Sequence, residues 1–280
     1  DNPKVKEYLF SSVQAWIKEF QIDGLRLDVA YCLNEHFMRE LRHFCDSIRP
    51  DFLLLGEILF GDYKRIVNDA MLHSCTNYEC YKGLYSSFND LNLFEISYAL
   101  NRQFGKDNPI YRGLHLLSFA DNHDVTRVAS VLKDKRHLPL LYTMLFTMPG
   151  IPCIYYGSEW GISGVKENGS DDALRPALLE PEWNELTDLI SSLSKLHKEH
   201  KSLIYGDYKS IVLTNRQLIY QREFEGERIW IAINAEEQEY QVYFNDMGNR
   251  GLTDLLSGEE IFLKDSFRLS PFSFYIWKLG

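Results

Sequence analysis

Apolar residues in the first twenty positions recur at intervals of three or four residues. They are Val5, Leu9, Val13, Trp16, Ile17 and Phe20. This spacing predicts an amphipathic helix over residues 2–20, and Pro3 suits the first turn of such a helix. Four further helices are predicted, over residues 34–48, 90–104, 136–148 and 181–200.

Short apolar runs separate these helices along the chain. They cover residues 23–30, 52–59, 71–78, 115–120 and 153–156. The runs lack polar alternation over most of their length, which is typical of strands buried on both faces. Strands that alternate with helices imply right-handed crossovers and a parallel sheet. The first two hundred residues therefore predict an α/β fold.

The pattern changes after Lys201, where short β-favouring runs follow one another without helices. The runs cover residues 211–213, 217–222, 228–233, 240–244 and 272–278, with Gly, Asn and Asp between them. Such runs predict a small antiparallel β-sandwich. We therefore expect one domain over residues 1–203 and a second over residues 204–280. The side chains of Trp230, Phe244 and Trp277 should be buried in the second domain.

Charge and composition exclude several classes of protein. The chain has 30 Lys and Arg against 40 Asp and Glu, a net charge of -10, so it has no cationic excess for a nucleic acid. No stretch reaches the roughly 20 apolar residues of a membrane helix. The five cysteines form no C-x-x-C pair, so we expect reduced, buried thiols and no zinc or redox site at these cysteines. No glycine-rich phosphate loop is present, and we predict no cofactor.

Polar residues interrupt the apolar runs chiefly at their C-terminal ends, where α/β proteins place their sites. Asp28 ends the first run, Glu57 ends the second, and Asn122, His123 and Asp124 follow the fourth. Three neighbouring strand ends therefore each offer a carboxylate.

Two of these carboxylates suit different roles in glycoside cleavage. Arg26 and Asp28 share a face of one strand, so the guanidinium would keep Asp28 ionised, as a nucleophile requires. Glu57 follows three leucines and a glycine, and a carboxyl in such an apolar setting can keep its proton and act as a general acid. His123 and Asp124 offer adjacent groups that could grip sugar hydroxyls.

Each of these residues also has a structural interpretation. Arg26 and Asp28 could form a buried ion pair, Glu57 could be a capping or surface carboxylate, and His123 could be a loop histidine. Three charged strand ends in succession favour the functional interpretation, because buried charges are costly.

These motifs resemble those of the α-amylase family of glycoside hydrolases, family 13. Residues 24–28 look like the family's nucleophile strand, residues 56–57 like its acid/base strand, and residues 121–124 like its fourth signature. Residues 148–159 resemble the segment around the family's last barrel strand. Residues 171–176 look most like the group of cyclomaltodextrinases, maltogenic amylases and neopullulanases.

The resemblance implies a role for each site residue. Asp28 would be the nucleophile, Glu57 the acid/base, and Asp124 the carboxylate that holds and distorts the sugar. Arg26, His123 and Asn122 would support the site, and an arginine comparable to Arg175 contacts the glucan in the family. These residues are Asp28, Glu57, Asp124, Arg26, His123, Asn122 and Arg175.

The implied activity is retaining hydrolysis of α-1,4-glucosidic bonds in α-glucans, maltooligosaccharides or cyclodextrins. The alternative is a glycosidase-like protein that binds a carbohydrate or a protein without catalysis. The presence of all three carboxylates favours the enzyme.

The resemblance begins just before the fourth of the family's eight barrel strands. It therefore implies the C-terminal portion of a (β/α)8 TIM barrel, about strands 4 to 8, followed by the β-sandwich. Residues 29–32 replace a Lys-His or Asn-Glu pair found in many members, which bears on specificity for the leaving group. We expect a cytoplasmic protein that self-associates or pairs with a missing N-terminal half, and weak hydrolysis by this chain alone.

Other aromatic and histidine motifs have simpler interpretations. His197 and His200 miss the spacing of a zinc motif and predict a solvated helix face. Aromatic residues between positions 205 and 220 predict core packing rather than a starch-binding stripe. Trp160 and Trp183 have two interpretations, since they could stack on sugars or pack against neighbouring side chains.

Overall fold

The computed structural model describes residues 2–244 and 250–280, which form two compact units. The first unit contains the residues up to Tyr78 together with Leu114–Leu117. The second contains Glu79–Gly113 and Ser118–Gly280. In the described part of the chain, no helix is long and apolar enough to cross a membrane.

The first unit alternates helices with short strands. In chain order its elements are α1 (Pro3–Phe20), β1 (Gly24–Leu27), α2 (Glu35–Ile48), β2 (Leu53–Gly56) and β3 (Ser74–Cys75). Asn2 caps α1 by accepting a hydrogen bond from the Lys4 N–H, and Asn34 caps α2 in the same way. The two helices pack through Phe10, whose ring stacks on Phe44 with centroids 4.7 Å apart.

The three strands of this unit form a parallel sheet in the order β1, β2, β3. Gly24 lies opposite Leu53, and a side chain there would meet the Leu53 carbonyl, so a glycine permits the close approach of β1 and β2. Thr76, just after β3, forms a parallel bridge with Leu117. The predicted parallel sheet is thus confirmed, and the strand ends lie along one edge.

The second unit begins with a helical region. Its helices are α3 (Tyr78–Asn89), α4 (Phe94–Phe104), α5 (Val128–Val131), α6 (Leu138–Thr147), α7 (Glu185–Glu199) and α8 (Lys201–Tyr205), and its first strands are β4 (Leu117–Phe119) and β5 (Ile151–Cys153). The two strands pair with each other. Helix α6 is buried almost all round, since every residue except Pro139 is buried.

Several predicted boundaries in this region were wrong. The predicted strand over residues 71–78 is reduced to Ser74–Cys75, because α3 already begins at Tyr78. The strand predicted over residues 153–156 lies instead at Ile151–Cys153 (β5). The chain then turns at Gly157, whose φ is 81°. Helix α7 begins at Glu185 because Asn184 and Thr187 form a capping box.

The rest of the second unit is all β, as predicted. Its strands are β6 (Asp207–Leu213), β7 (Gln217–Phe224), β8 (Glu227–Asn234), β9 (Tyr240–Tyr243), β10 (Arg250–Asp254), β11 (Glu260–Leu263), β12 (Ser266–Leu269) and β13 (Ser273–Leu279). Six strands form one antiparallel sheet in the order β11, β10, β13, β8, β7, β6, and β9 pairs antiparallel with β12.

The core of this β region is aromatic. Trp230, Phe244 and Trp277 are all buried, which confirms the prediction, and Phe267 meets Trp277 edge to face at 4.8 Å. Tyr208 and Tyr220 are fully buried, so the expected core packing is confirmed for these two residues. It was wrong for Tyr205, which is exposed.

Buried polar groups tie the helices of the second unit to its β-strands. Arg222 is fully buried and donates hydrogen bonds to the carbonyls of Thr147 and Gly206, and burial lowers its pKa to about 10. The hydroxyls of Ser97 and Tyr208 lie 2.9 Å apart. The predicted domain boundary at residues 203 and 204 remains a proposal.

The cysteines are all free thiols. Cys45, Cys75 and Cys80 are buried, and Cys32 is exposed. Burial raises the pKa of the Cys45 thiol to about 11. The expectation of buried thiols is therefore confirmed for Cys45, Cys75 and Cys80 and was wrong for Cys32, and their reduced state stays a prediction.

The two histidines at the end of α7 do not form the predicted solvated face. His197 Nδ1 donates to the Phe146 carbonyl at 2.8 Å, and burial lowers the pKa of His197. His200 Nδ1 lies 2.8 Å from Glu227 Oε1, and Ser202 donates to the other oxygen of Glu227. Lys278 Nζ is 3.2 Å from Glu227 as well. His197 therefore packs against α6, and His200 packs against the start of β8.

Glu227 should make stability depend on pH. Burial alone would raise its pKa, but hydrogen bonds from His200 and Ser202 outweigh burial and lower the pKa to about 2. A lowered carboxyl pKa stabilises the fold above the unfolded value near 4.5, and this stabilisation is lost as the pH falls toward 2. Glu227→Gln should therefore lower the free energy of unfolding by about 2 kcal/mol at pH 7.

The measurement is urea unfolding of the wild type and the variant between pH 7 and pH 3. The difference between them should shrink below about pH 4.5. Glu225→Gln is the matched control, because Glu225 is exposed and its contact with Lys201 spans 4.0 Å. A difference between wild type and Glu227→Gln that does not change with pH would contradict this account.

Candidate active site

Asp28 and Glu57 follow two paired strands of the first unit. Leu27 lies opposite Gly56 at the ends of β1 and β2, so the next residue on each strand is a carboxylate. The Glu57 N–H donates to the Leu27 carbonyl at 2.9 Å, and the Ala30 N–H donates to the Glu57 carbonyl at 2.9 Å. The backbone therefore holds both residues at one edge of the sheet.

A single guanidinium binds both carboxylates. Arg26 Nη1 lies 2.5 Å from Asp28 Oδ1, and Arg26 Nη2 lies 3.0 Å from Glu57 Oε1. Both acids therefore point toward the same cation. This geometry agrees with the sequence-based placement of Arg26 and Asp28 on one face.

The two carboxylates differ in their access to solvent. The side chain of Asp28 is 72% exposed, whereas that of Glu57 is 8% exposed. The second oxygen of Glu57 accepts a hydrogen bond from the Val29 N–H at 3.1 Å. The sequence predicted an apolar setting for Glu57, but the structure gives each of its oxygens a hydrogen-bond donor. Asp28 is thus the accessible acid and Glu57 the enclosed one.

The backbone around this pair is unusual. Val29 has φ 47° and ψ 42°, a left-handed conformation that costs a β-branched residue about 1–2 kcal/mol. The turn directs the Val29 N–H at Glu57. On the other strand, a Cβ at Gly56 would lie 2.4 Å from Leu72 Cδ1 and 2.9 Å from Ala30 Cβ. Backbone strain therefore lies directly after Asp28, and close packing lies directly before Glu57.

The segment after Glu57 is fixed by a buried hydroxyl. Thr76 Oγ1 accepts a hydrogen bond from the Ile58 N–H at 2.8 Å and donates one to the Ile58 carbonyl at 3.0 Å. The end of β3 thereby anchors the residue that follows the enclosed acid.

In the second unit, the structure brings together the four other predicted site residues. Asn122 Oδ1 accepts the Asp124 N–H at 2.8 Å, and His123 Nε2 lies 3.1 Å from Asp124 Oδ2. Arg175 Nη2 donates to Asp124 Oδ1 at 3.0 Å, and its Nε donates to the His123 carbonyl. Asp171 Oδ2 accepts from the same nitrogen of Arg175 at 2.9 Å. Asp124 therefore has a basic group on each oxygen.

Three polar residues beside this cluster were missed by sequence reasoning. Lys166 Nζ donates to the Asp124 carbonyl at 2.7 Å. Asp121 is buried and accepts hydrogen bonds from Ser158 Oγ and from the Val128 N–H, and burial raises its pKa against these bonds. Arg127 is fully buried. Asp121 and Arg127 flank residues 122–124 within an apolar stretch, and that position was the signal available in the sequence.

The two clusters consist of carboxylates together with arginine, histidine and lysine side chains. In the described part of the chain, no group of three or more His, Cys, Asp or Glu side chains is placed to hold a metal ion. The first cluster offers one accessible and one enclosed acid on a shared cation. The second offers a carboxylate with histidine and arginine donors. The expectation that Asp124 approaches Asp28 and Glu57 stays a prediction.

Comparison with known families identifies this arrangement. The family model "Alpha amylase, catalytic domain" matches residues 1–202, and "Maltogenic Amylase, C-terminal domain" matches residues 211–276. The chain therefore belongs to the α-amylase family. Its fold is the C-terminal portion of a (β/α)8 barrel followed by a small antiparallel β-sandwich.

Individual relatives agree with the family match. A cyclomaltodextrinase of Geobacillus thermopakistaniensis (strain MAS1) is 29% identical over 92% of this chain and 44% of its own length. An intracellular maltogenic amylase of Bacillus subtilis (strain 168) is 28% identical over 72% of this chain and 34% of its own length. The chain spans less than half the length of these curated relatives.

A solved structure is similar over the whole chain. The α-amylase of Geobacillus thermoleovorans, complexed with acarbose, matches 100% of this chain and 64% of its own with a TM-score of 0.86 and 27% identity. This similarity supports the barrel and β-sandwich assignment.

The close packing at Gly56 predicts a specific loss of stability. Gly56→Ala should lower the free energy of unfolding by about 1–3 kcal/mol, because its methyl group would overlap Leu72 and Ala30. Gly251→Ala is the matched control, since a Cβ there meets no atom within 4 Å. Denaturant unfolding of both variants measures the difference. Equal stability of the two variants would show that the packing at Gly56 is not restrictive.

Proposed function

We propose that this protein is a retaining glycoside hydrolase that acts on α-1,4-glucosidic bonds of α-glucans, maltooligosaccharides or cyclodextrins. The observation that carries the proposal is the pair Asp28 and Glu57 on the Arg26 guanidinium, in a chain of the α-amylase family. Two carboxylates beside one bond are what such hydrolysis requires.

The different exposure of the two acids supports different roles. Asp28, the accessible acid, attacks the anomeric carbon and forms an ester with it as the glycosidic C–O bond breaks. Glu57 gives its proton to the leaving oxygen. Water then attacks the anomeric carbon while Glu57 takes a proton from that water. The bond between the anomeric carbon and the Asp28 oxygen breaks, and Asp28 is released as a carboxylate. A retaining mechanism needs carboxyl groups about 5 to 5.5 Å apart, and that separation stays a prediction.

Asp124 holds the sugar in this proposal. Its oxygens already contact His123 and Arg175, so a sugar hydroxyl would bind next to charged hydrogen-bonding groups. Asn122 orients Asp124 by accepting a hydrogen bond from the Asp124 N–H. Arg175 contacts both Asp124 and the glucan. Arg26 Nη1 donates to Asp28 Oδ1 and thereby fixes the carboxylate that attacks the sugar.

We propose a cytoplasmic location and self-association. Five free thiols fit a reducing compartment, and a relative is named an intracellular maltogenic amylase. Helix α1 exposes large apolar side chains, among them Tyr8, Trp16 and Phe20. Exposed apolar surface of this kind favours association. Sedimentation of the purified chain measures its mass, and a monomer at all concentrations would refute self-association.

The proposed roles of the two acids predict different responses to the leaving group. With maltooligosaccharides, Asp28→Asn should abolish hydrolysis, and Glu57→Gln should slow it by about 10²–10⁴-fold. Fluoride leaves without a proton, so α-glucosyl fluoride should restore turnover to Glu57→Gln but not to Asp28→Asn. Release of reducing sugar and of fluoride are the two measurements.

Asp23→Asn is the matched control for these variants. Asp23 precedes β1, pairs with Arg49 rather than Arg26, and is exposed. Its variant should keep the rate of the wild type. Glucan binding without hydrolysis in the wild type and in Asp28→Asn alike would favour a binding protein instead.

A further inference from the structure

Arg127 is a fully buried cation next to the Asp124 cluster. Its Nη1 donates to the Tyr156 carbonyl at 2.7 Å and to Ser158 Oγ at 3.1 Å, and its Nη2 donates to the Leu174 carbonyl at 2.7 Å. The guanidinium also lies over the Tyr155 ring, 4.0 Å from its centroid. These partners come from two segments far from Arg127 in sequence.

One of those segments carries Arg175. Leu174, whose carbonyl Arg127 holds, directly precedes Arg175, and Arg175 in turn donates to Asp124 Oδ1. Arg127 itself follows Asp124 by three residues. The Arg127 N–H also donates to the Gly164 carbonyl at 2.8 Å. A closed ring of contacts therefore includes the Asp124 carboxylate. It consists of the backbone from Asp124 to Arg127, the hydrogen bond from Arg127 to Leu174, and the hydrogen bond from Arg175 back to Asp124.

The packing leaves little freedom at this ring. A Cβ at Gly164 would lie 2.2 Å from the Ala173 carbonyl oxygen and 3.0 Å from Arg127 Cγ. A buried cation is costly unless its donors find acceptors, and here two carbonyl oxygens and a hydroxyl accept hydrogen bonds from Nη1 and Nη2 of Arg127. Within the described residues, the buried Nε of Arg127 has no acceptor. A lysine carries one compact ammonium and cannot span both segments in the same way.

We propose that Arg127 is a positioning residue, which sets the orientation of the Asp124 carboxylate by fixing the backbone that carries Arg175. Asp124 is itself proposed to hold the sugar, so the kinetic consequence rests on the proposed function. The placement of Asp124 and Arg175 by Arg127 is independent of the proposed function.

The kinetic test is the variant Arg127→Lys. Misplacement of Asp124 should weaken contacts made in the transition state, so kcat should fall about 10- to 100-fold while KM changes less than about threefold. Because Arg127 acts through Arg175, Arg127→Lys combined with Arg175→Lys should be no slower than Arg175→Lys alone. Multiplying effects of the two substitutions would overturn the proposal.

Arg222→Lys is the matched control. Arg222 is equally buried and also donates to backbone carbonyls, but it lies among the β-strands and contacts no residue of the cluster. Its variant should lose similar stability and keep the kcat of the wild type. Equal losses of kcat in the two variants would show that Arg127 contributes only stability.

A structural measurement separates this inference from the proposed function. Amide hydrogen exchange of residues 122–126 and 171–176 should accelerate about tenfold in Arg127→Lys and should not change in Arg222→Lys. If Arg127→Lys does not fold, Ser158→Ala serves as the second variant, because it removes one acceptor of the guanidinium. It should accelerate exchange in the same segments by less than tenfold.

The outcomes are distinct. Unchanged exchange in both segments would overturn the positioning role. Accelerated exchange with an unchanged kcat would keep the placement of Asp124 and Arg175 by Arg127 and refute the proposed role of Asp124 in holding the sugar.

Discussion

The Arg26 guanidinium between two carboxylates is the interaction on which the first cluster depends. It exists because β1 and β2 pair in parallel with Leu27 opposite Gly56, so Asp28 and Glu57 leave the sheet side by side. A shift of one residue in this register would turn one acid to the other face. To bring the two acids onto one cation, the backbone adopts a strained left-handed conformation at Val29. It also requires a glycine at position 56, where a side chain would overlap its neighbours.

The second unit uses a comparable device for Asp124. Here too an arginine donates to a carboxylate at the end of an apolar strand, and the arginine arrives on a distant loop. Arg127 holds that loop through the Leu174 carbonyl, and Asp121 accepts a hydrogen bond from Ser158, which Arg127 also contacts. Each cluster thus consists of a carboxylate that solvent reaches, a partly exposed arginine and an enclosed polar group, although Asp124 is less exposed than Asp28. Enclosed groups of this kind limit motion because breaking their bonds would leave buried polar atoms without partners.

The sequence predicted the features that follow from local periodicity. The strands bearing Asp28 and Glu57 and the grouping of Asn122 to Asp124 with Arg175 depend on short apolar runs and on family motifs. Helix α3 was missed because Gly83, Ser86 and Ser87 lie among its buried residues, so it shows no polar face and no apolar stripe. Strands β10 to β12 were missed because each has only four or five residues with mixed polarity. The hydrogen bonds to Glu57 and the contacts of Arg127 depend on tertiary packing, which no local pattern reports.

The central claim is that Asp28 is the nucleophile, and chemical trapping of the glycosyl-enzyme tests it directly. A fluorinated α-glucosyl fluoride forms the ester quickly and releases it slowly, because the ring fluorine destabilises the cationic transition state of both steps and the fluoride leaving group compensates only in the first. Mass spectrometry of the digested protein should show one glucosyl adduct on the peptide that contains Asp28, and none in Asp28→Asn. An adduct on Glu57 or Asp124, or no adduct on a protein that hydrolyses maltooligosaccharides, would contradict the assignment.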